Sequence, residues 1–81
     1  MSGKADRKKF RVHVPDKVDV KSIRTSLALT QREFAARYGF TLGAVHDWEQ
    51  GRRRPEASAR ILLKVIEKRP EVVAEVLGRA A

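Results

Sequence analysis

The strongest constraint on the fold is a helix-start signal that occurs three times in succession. Asp19, Thr30 and Thr41 are residue types that favour a helix N-cap. Each has one apolar residue directly before it and another four positions after it, which is the arrangement of a hydrophobic staple. Glu33 stands three residues after Thr30 and completes a capping box. The pattern predicts three short consecutive helices, the first over about residues 20–28.

Glycine and proline divide the rest of the chain into further helices. Gly39 and Gly51 follow the second and third predicted helices, where a left-handed residue ends a helix. Pro55 suits the first turn of a fourth helix and Pro70 the first turn of a fifth, with Gly78 as its stop. The sequence therefore predicts an all-α fold of five helices.

A basic leader, residues 1–17, precedes this helical domain, which we place at residues 18–81. The leader begins with a polar, charged stretch that predicts flexibility. Residues 10–14 then alternate apolar and polar side chains, the period of a half-buried strand, before Pro15. A single strand is not stable alone, so this segment pairs with a second copy of the chain or with a partner, or it stays irregular. If it pairs, strand addition to a partner protein would use Phe10, Val12 and Val14.

Charge is the most informative property of the composition. The 81 residues carry a formal net charge of +8, and a surplus of Lys and Arg on a small domain attracts polyanions. Residues 1–17 contain six basic and two acidic side chains, and residues 52–69 contain seven and two. The region between these blocks is neutral. We expect one domain whose two basic blocks contact phosphates.

Several classes of protein are disfavoured by what the sequence contains. Cysteine is absent and histidine occurs twice, so the sequence predicts no disulfide, metal site, hydrolytic centre or bound cofactor. No segment has the length of an apolar membrane span or the pattern of a signal peptide. We expect a cytoplasmic protein that is not an enzyme.

The middle of the chain meets the steric demands of two helices that cross at a tight turn. Ala35 is small enough for close approach, and Gly39 suits the turn. Val45 and Trp48 lie three residues apart on the third helix and are predicted to face the core with other apolar residues.

These residues resemble a known family. The pattern Gln31-x-x-x-Ala35-x-x-x-Gly39-x-x-x-x-x-Val45-x-x-Trp48-Glu49-x-Gly51-x-x-x-Pro55 is similar to the Xre-type, lambda-repressor-like helix-turn-helix. The leader, the single domain and the later Leu-Leu-x-Val-Ile helix more narrowly resemble HigA-type antitoxins of toxin–antitoxin modules. The resemblance implies a repressor whose third helix enters the major groove of operator DNA, and it implies a toxin as protein partner.

Base contacts in this family come from the start of the third helix and from one turn further on. The corresponding positions here are Leu42, Gly43, Ala44, His46 and Asp47. No Arg or Asn leads this helix, so we expect apolar contacts to thymine methyl groups, a bond from Asp47 to cytosine N4, and some readout of DNA shape. The alternative is an ordinary solvent-exposed helix face.

Two further sets of residues complete the predicted site. Phosphate contacts are expected from helix N-termini and from basic side chains near the third helix: Gln31, Arg32, Thr41, Arg52, Arg53 and Arg54. A two-fold dimer would read two half-sites about 34 Å apart. Its interface is predicted to involve Leu63, Val73, Val76 and Leu77.

Three functions remain open at this point. The first is an autoregulating antitoxin and repressor. The second is a stand-alone Xre-type regulator of phage or host without a toxin. The third is a protein-interaction module that keeps the fold and has lost operator binding, which the uncharged start of the third helix makes conceivable.

Overall fold

The computed structural model describes residues 11–78, which form five helices and, within that range, no strand. They are α1 (Val20–Ser26), α2 (Gln31–Tyr38), α3 (Leu42–Gln50), α4 (Ala57–Lys68) and α5 (Pro70–Leu77). The predicted all-α fold is confirmed.

The three predicted N-caps each satisfy a backbone donor at the start of their helix. The Asp19 carboxylate accepts from the N–H of Ser22 at 3.0 Å. Thr30 and Glu33 form the full capping box, with bonds of 3.0 and 2.9 Å. The Thr41 hydroxyl accepts from the first turn of α3 at 3.0 Å. Local sequence therefore sets where α1, α2 and α3 begin.

Left-handed residues end the first three helices. Gly39 and Gly51 have φ values of 77° and 78°, as their positions predicted. α1 ends at Ser26, two residues before the predicted end. The reason is Ala28, which has φ 59° and reverses the chain where glycine would be the ordinary choice.

The last two helices begin at slightly different positions from those predicted. α4 starts at Ala57 with Glu56 as its N-cap, so the buried Pro55 precedes the helix and is not in its first turn. Pro70 is the first residue of α5, as predicted. Gly78 is the C-cap of α5 but keeps a right-handed conformation.

The core lies where α1, α2, α3 and α4 meet. It contains Val20, Ile23, Phe34, Ala35, Tyr38, Val45, Leu63 and Ile66. Aromatic rings continue outward from it, because Phe34 stacks near Tyr38 and Phe40, with ring centroids 5.1 and 5.9 Å apart. Phe40 then meets the edge of Trp48 at 5.0 Å. This chain of rings fixes the angle between α2 and α3.

Leu63 is a correction to the predicted dimer interface. Its side chain is 0% exposed in the core of one chain, so it has no surface to offer a second copy. The helical face that α4 turns inward includes Leu63, and a pattern of apolar residues alone does not tell which of two neighbouring faces is covered.

The leader has no regular secondary structure over residues 11–14, so a strand is not formed there. Phe10, the first residue of the predicted strand, lies outside the described residues. Among residues 11–78 no strand lies beside the backbone of residues 11–14, so a paired strand there would need a second copy or a partner.

Candidate nucleic-acid interface

α3 has one face anchored in the protein and one face open. Val45 is fully buried, and Trp48 is half-buried against Phe40. On the opposite side Leu42 and His46 are exposed, with Leu42 37% accessible. α3 is therefore a short rod whose outer surface is available to a ligand.

The five predicted base-reading residues do not share one environment. Leu42, Gly43 and His46 are exposed, whereas Ala44 and Asp47 are half-buried. A Cβ added at Gly43 would meet no atom within 4 Å. The glycine therefore answers no packing need within the chain, and its absent side chain leaves a flat patch at the start of the helix.

An ion pair that the sequence analysis did not find holds the back of α3. Arg24 of α1 donates from Nε to Glu49 at 2.6 Å and from Nη2 to its other carboxylate oxygen at 2.9 Å. The third guanidinium nitrogen, Nη1, donates to the Leu29 carbonyl at 2.9 Å. The Glu49 side chain is only 3% exposed. Such two-pronged pairing fixes both distance and orientation between α1 and α3.

Gln31 joins the same network from α2. Its side-chain N–H donates to Glu49 at 3.0 Å, so one carboxylate connects three helices. The hydrogen bond from Arg24, followed by the bond from Gln31, outweighs burial and holds the pKa of Glu49 below its usual range. The same pairing raises the pKa of Arg24. Glu49 is thus ionised when the domain is folded at neutral pH.

The basic triplet after α3 is partly engaged within the protein. Arg53 lies 3.5 Å from the carboxylate of Asp47. Arg54 pairs with Asp16 at 2.9 Å and also donates to its carbonyl at 2.6 Å. Arg52 is exposed. Since the side chains of Arg53 and Arg54 are themselves more than half exposed, both can exchange these partners for a phosphate.

The remaining predicted phosphate contacts are distributed over two helix starts. Arg32 is exposed at the start of α2, and Thr41 is exposed at the start of α3, where its hydroxyl is used as the cap. Gln31 is half-buried, with an amide committed to Glu49. Its role in this structure is to position α3 from α2.

The residues predicted for dimer and toxin contacts differ in how far the fold leaves them exposed. Val76 and Leu77 of α5 are 71% and 76% exposed, while Val73 packs against the core. In the leader, Val12 is exposed and Val14 is half-buried. The dimer prediction therefore retains Val76 and Leu77, and the partner prediction retains Val12 as an accessible residue.

Two properties can be stated for residues 11–78. Within them no three histidine or acidic side chains are grouped so that they could hold a metal ion. None of the five helices has the length and apolar character that crossing a membrane requires.

Comparison with known proteins shows the family to which the sequence is similar. Residues 3–77 match the family model of the antitoxin component of a bacterial toxin–antitoxin system, MqsA. Antitoxin MqsA of Escherichia coli (strain K12) is 35% identical over 54 residues, which is 67% of this chain and 41% of that protein. The match thus spans less than half the length of that relative.

A solved structure supports the fold. The crystal structure of an HTH XRE-family like protein from Agrobacterium tumefaciens has a TM-score of 0.70 and 49% identity, covering 75% of this chain and 98% of that chain. The narrower resemblance to HigA-type antitoxins is not confirmed, since the family model and the curated relative are both MqsA. The chain belongs to the MqsA antitoxin family and has an XRE-like helix-turn-helix fold.

Proposed function

We propose that this protein is a sequence-specific DNA-binding repressor and an antitoxin, and that α3 is its recognition helix. The observation that carries the proposal is the two-sided character of α3. Its inner face is fixed by Val45, Trp48 and Glu49, and its outer face is exposed. A helix about 10 Å wide that is held rigidly and left open on one side fits the major groove.

Base recognition would begin at the exposed start of α3. Leu42 would press on a thymine methyl group, and Gly43 would let the helix backbone approach the base edges. His46, one turn further on, would bond a purine edge. Asp47 would accept from cytosine N4, and Arg53, which lies 3.5 Å from one oxygen of this carboxylate, would bind a phosphate nearby.

Affinity would come chiefly from the phosphate backbone. Arg32, Thr41 and Arg52 are exposed around the two helix starts and the loop after α3. Helix N-termini carry free N–H groups and partial positive charge, which suit phosphate oxygens. The net charge of +8 adds long-range attraction to DNA.

A second copy and a toxin complete the proposed assembly. The exposed Val76 and Leu77 on α5 would pair with the same residues of another chain, so that two α3 helices face successive major grooves. Val12 would contribute to toxin binding, together with Phe10 and Val14. The MqsA family membership supports a toxin as partner.

Operator binding can be tested by titrating the purified protein against the DNA upstream of its own gene and against a scrambled duplex. We expect a specific complex whose affinity falls as salt rises. The double variant Arg52→Ala, Arg53→Ala should weaken binding to both duplexes. A matched control, Lys64→Ala with Lys68→Ala, removes two charges from α4. Equal affinity of the unaltered protein for the two duplexes would contradict sequence-specific recognition.

The antitoxin assignment has its own test. An adjacent reading frame encoding a short basic, ribonuclease-like protein would supply the toxin, and co-expression should relieve the growth defect that this toxin causes. If no such neighbour exists and operator binding is intact, the protein is a stand-alone regulator. If toxin binding occurs without operator binding, it is an interaction module.

A further inference from the structure

The end of the leader is fastened to the domain beside α3. Arg60 of α4 donates from Nε to the carbonyl of Pro15 and from Nη1 to the carbonyl of Pro55, both at 2.7 Å. Arg54 holds the next residue, Asp16, through its carbonyl at 2.6 Å and its carboxylate at 2.9 Å. The half-buried Arg60 therefore fastens the leader to the loop that joins α3 to α4, and the exposed Arg54–Asp16 pair adds a contact that Arg54 can exchange for a phosphate.

This fastening brings the leader's basic side chains to the C-terminal end of α3. Lys17 lines a surface groove with Trp48 and Arg53. Lys21, at the start of α1, lines the neighbouring groove with Lys17 and Trp48. Arg11 is exposed further along the leader. Lys17 and Lys21 thus lie beside the C-terminal end of α3 and the loop that follows it.

The acidic residues in this region are engaged within the protein, including Glu49, which lines the groove of Lys17 and Lys21 and is paired with Arg24. Asp16 is paired with Arg54, and Asp19 accepts from the start of α1. Asp47 lies against Arg53. Around these pairs Arg11, Lys17 and Arg52 remain exposed.

We propose that leader residues 11–17 bind the sugar–phosphate backbone of DNA next to the groove that α3 enters, with Arg11 and Lys17 contacting phosphates. The inference rests on the proposed DNA-binding function and adds a second element to that surface. From Asp16, the five residues back to Arg11 reach about 17 Å when extended. That is half of a DNA helical turn of about 34 Å, so Arg11 would reach phosphates beyond those near the loop, while Lys17, next to Asp16, would contact phosphates close to the loop.

The test compares two full-length double variants of equal charge loss. Arg11→Gln with Lys17→Gln removes the proposed contacts, and Lys64→Gln with Lys68→Gln removes two charges from α4. Each phosphate contact contributes about 0.9 to the slope of log affinity against log salt, so the leader variant should lose about 1.8 from the slope. Between 50 and 200 mM salt this changes the relative affinity about 12-fold. The α4 variant should keep the original slope.

A third variant tests the fastening itself. Arg60→Lys keeps the positive charge, but a single ammonium lacks the two-pronged reach by which Arg60 joins Pro15 to Pro55. We expect its salt slope to fall towards that of the leader variant. A thermal melt of each variant checks that the domain is folded at the temperature of the titration.

Each titration is run on the operator and on a scrambled duplex of the same length, because backbone contacts do not depend on sequence. If the leader variant keeps the original slope on both duplexes, the leader contact is refuted and operator recognition is unaffected. If the slope falls but the two duplexes bind equally, the leader contact stands and sequence-specific recognition is refuted. Absence of binding to any duplex refutes both.

Discussion

The substitution Glu49→Gln tests what holds α3 in place. Glu49 accepts two hydrogen bonds from Arg24 and one from Gln31, at 2.6 to 3.0 Å. Glutamine keeps the shape but replaces one carboxylate oxygen with an N–H₂ group that faces donors. Arg24, whose side chain is 13% exposed, would then lie in the protein without a counter-charge.

The expected loss of stability is large for a domain of this size. Removing one partner of a buried ion pair costs about 3–5 kcal/mol, since the other charge stays uncompensated. A chain of 81 residues has a free energy of unfolding of about 4–12 kcal/mol. At about 4–8 °C per kcal/mol, a loss of 3 kcal/mol lowers the melting temperature by about 12–24 °C.

The assay is thermal and urea unfolding followed by circular dichroism, with Glu67→Gln as the matched control. Glu67 pairs with Lys64 at 3.0 Å on the exposed side of α4, where such a pair contributes less than about 1 kcal/mol. The double variant Arg24→Leu, Glu49→Leu should be more stable than Glu49→Gln, because no charge is left unpaired. If Glu49→Gln and Glu67→Gln melt at the same temperature, the network does not hold α1 to α3.

Three further predictions concern the same helix. The folded-state pKa of Glu49 is lowered, so its contribution to stability is complete above the unfolded pKa of about 4.3 and is lost as pH falls through the folded pKa. The free energy of unfolding, measured with urea between pH 7 and 3, should therefore fall less steeply with pH in Glu49→Gln than in the unaltered protein. Gly43→Ala should raise stability by about 0.5–1 kcal/mol, since its Cβ meets nothing, yet weaken operator binding; unchanged affinity would show that this patch does not approach DNA. Trp48→Ala should cost about 3 kcal/mol by removing the edge contact to Phe40, and Trp48→Phe should restore part of it, as melting curves would show.

Local sequence signals predicted where α1, α2 and α3 start and where α2 and α3 end, because caps and left-handed residues act through nearby backbone groups. A cap hydroxyl or carboxylate bonds a backbone N–H two or three residues away, and Gly39 takes a left-handed conformation by itself. The early end of α1 escaped prediction because Ala28 adopts φ 59° against its own preference. Here the packing of the surrounding helices prevails over residue type.

The periodicity of the sequence could not predict the tertiary contacts. Arg24 and Glu49 are 25 positions apart, and no spacing rule connects them. Likewise, an apolar residue such as Leu63 suits either a core or an interface, and the choice depends on which helix packs over it. Arg54 was predicted as a phosphate ligand from its charge and its place after the third helix, while its bond to Asp16 could not be predicted because it joins residues 38 positions apart.

The buried and exposed faces of α3 differ in how much they contribute to folding, and this difference has an evolutionary consequence. Folding depends on its two ends and on the side turned towards α1 and α2, whereas Leu42 and His46 contribute little to stability. Substitutions at these two positions should therefore be nearly neutral for folding and free to drift. If α3 is the recognition helix as proposed, gene duplicates of this protein can acquire different operators by changing a few side chains, without a compensating change elsewhere in the domain.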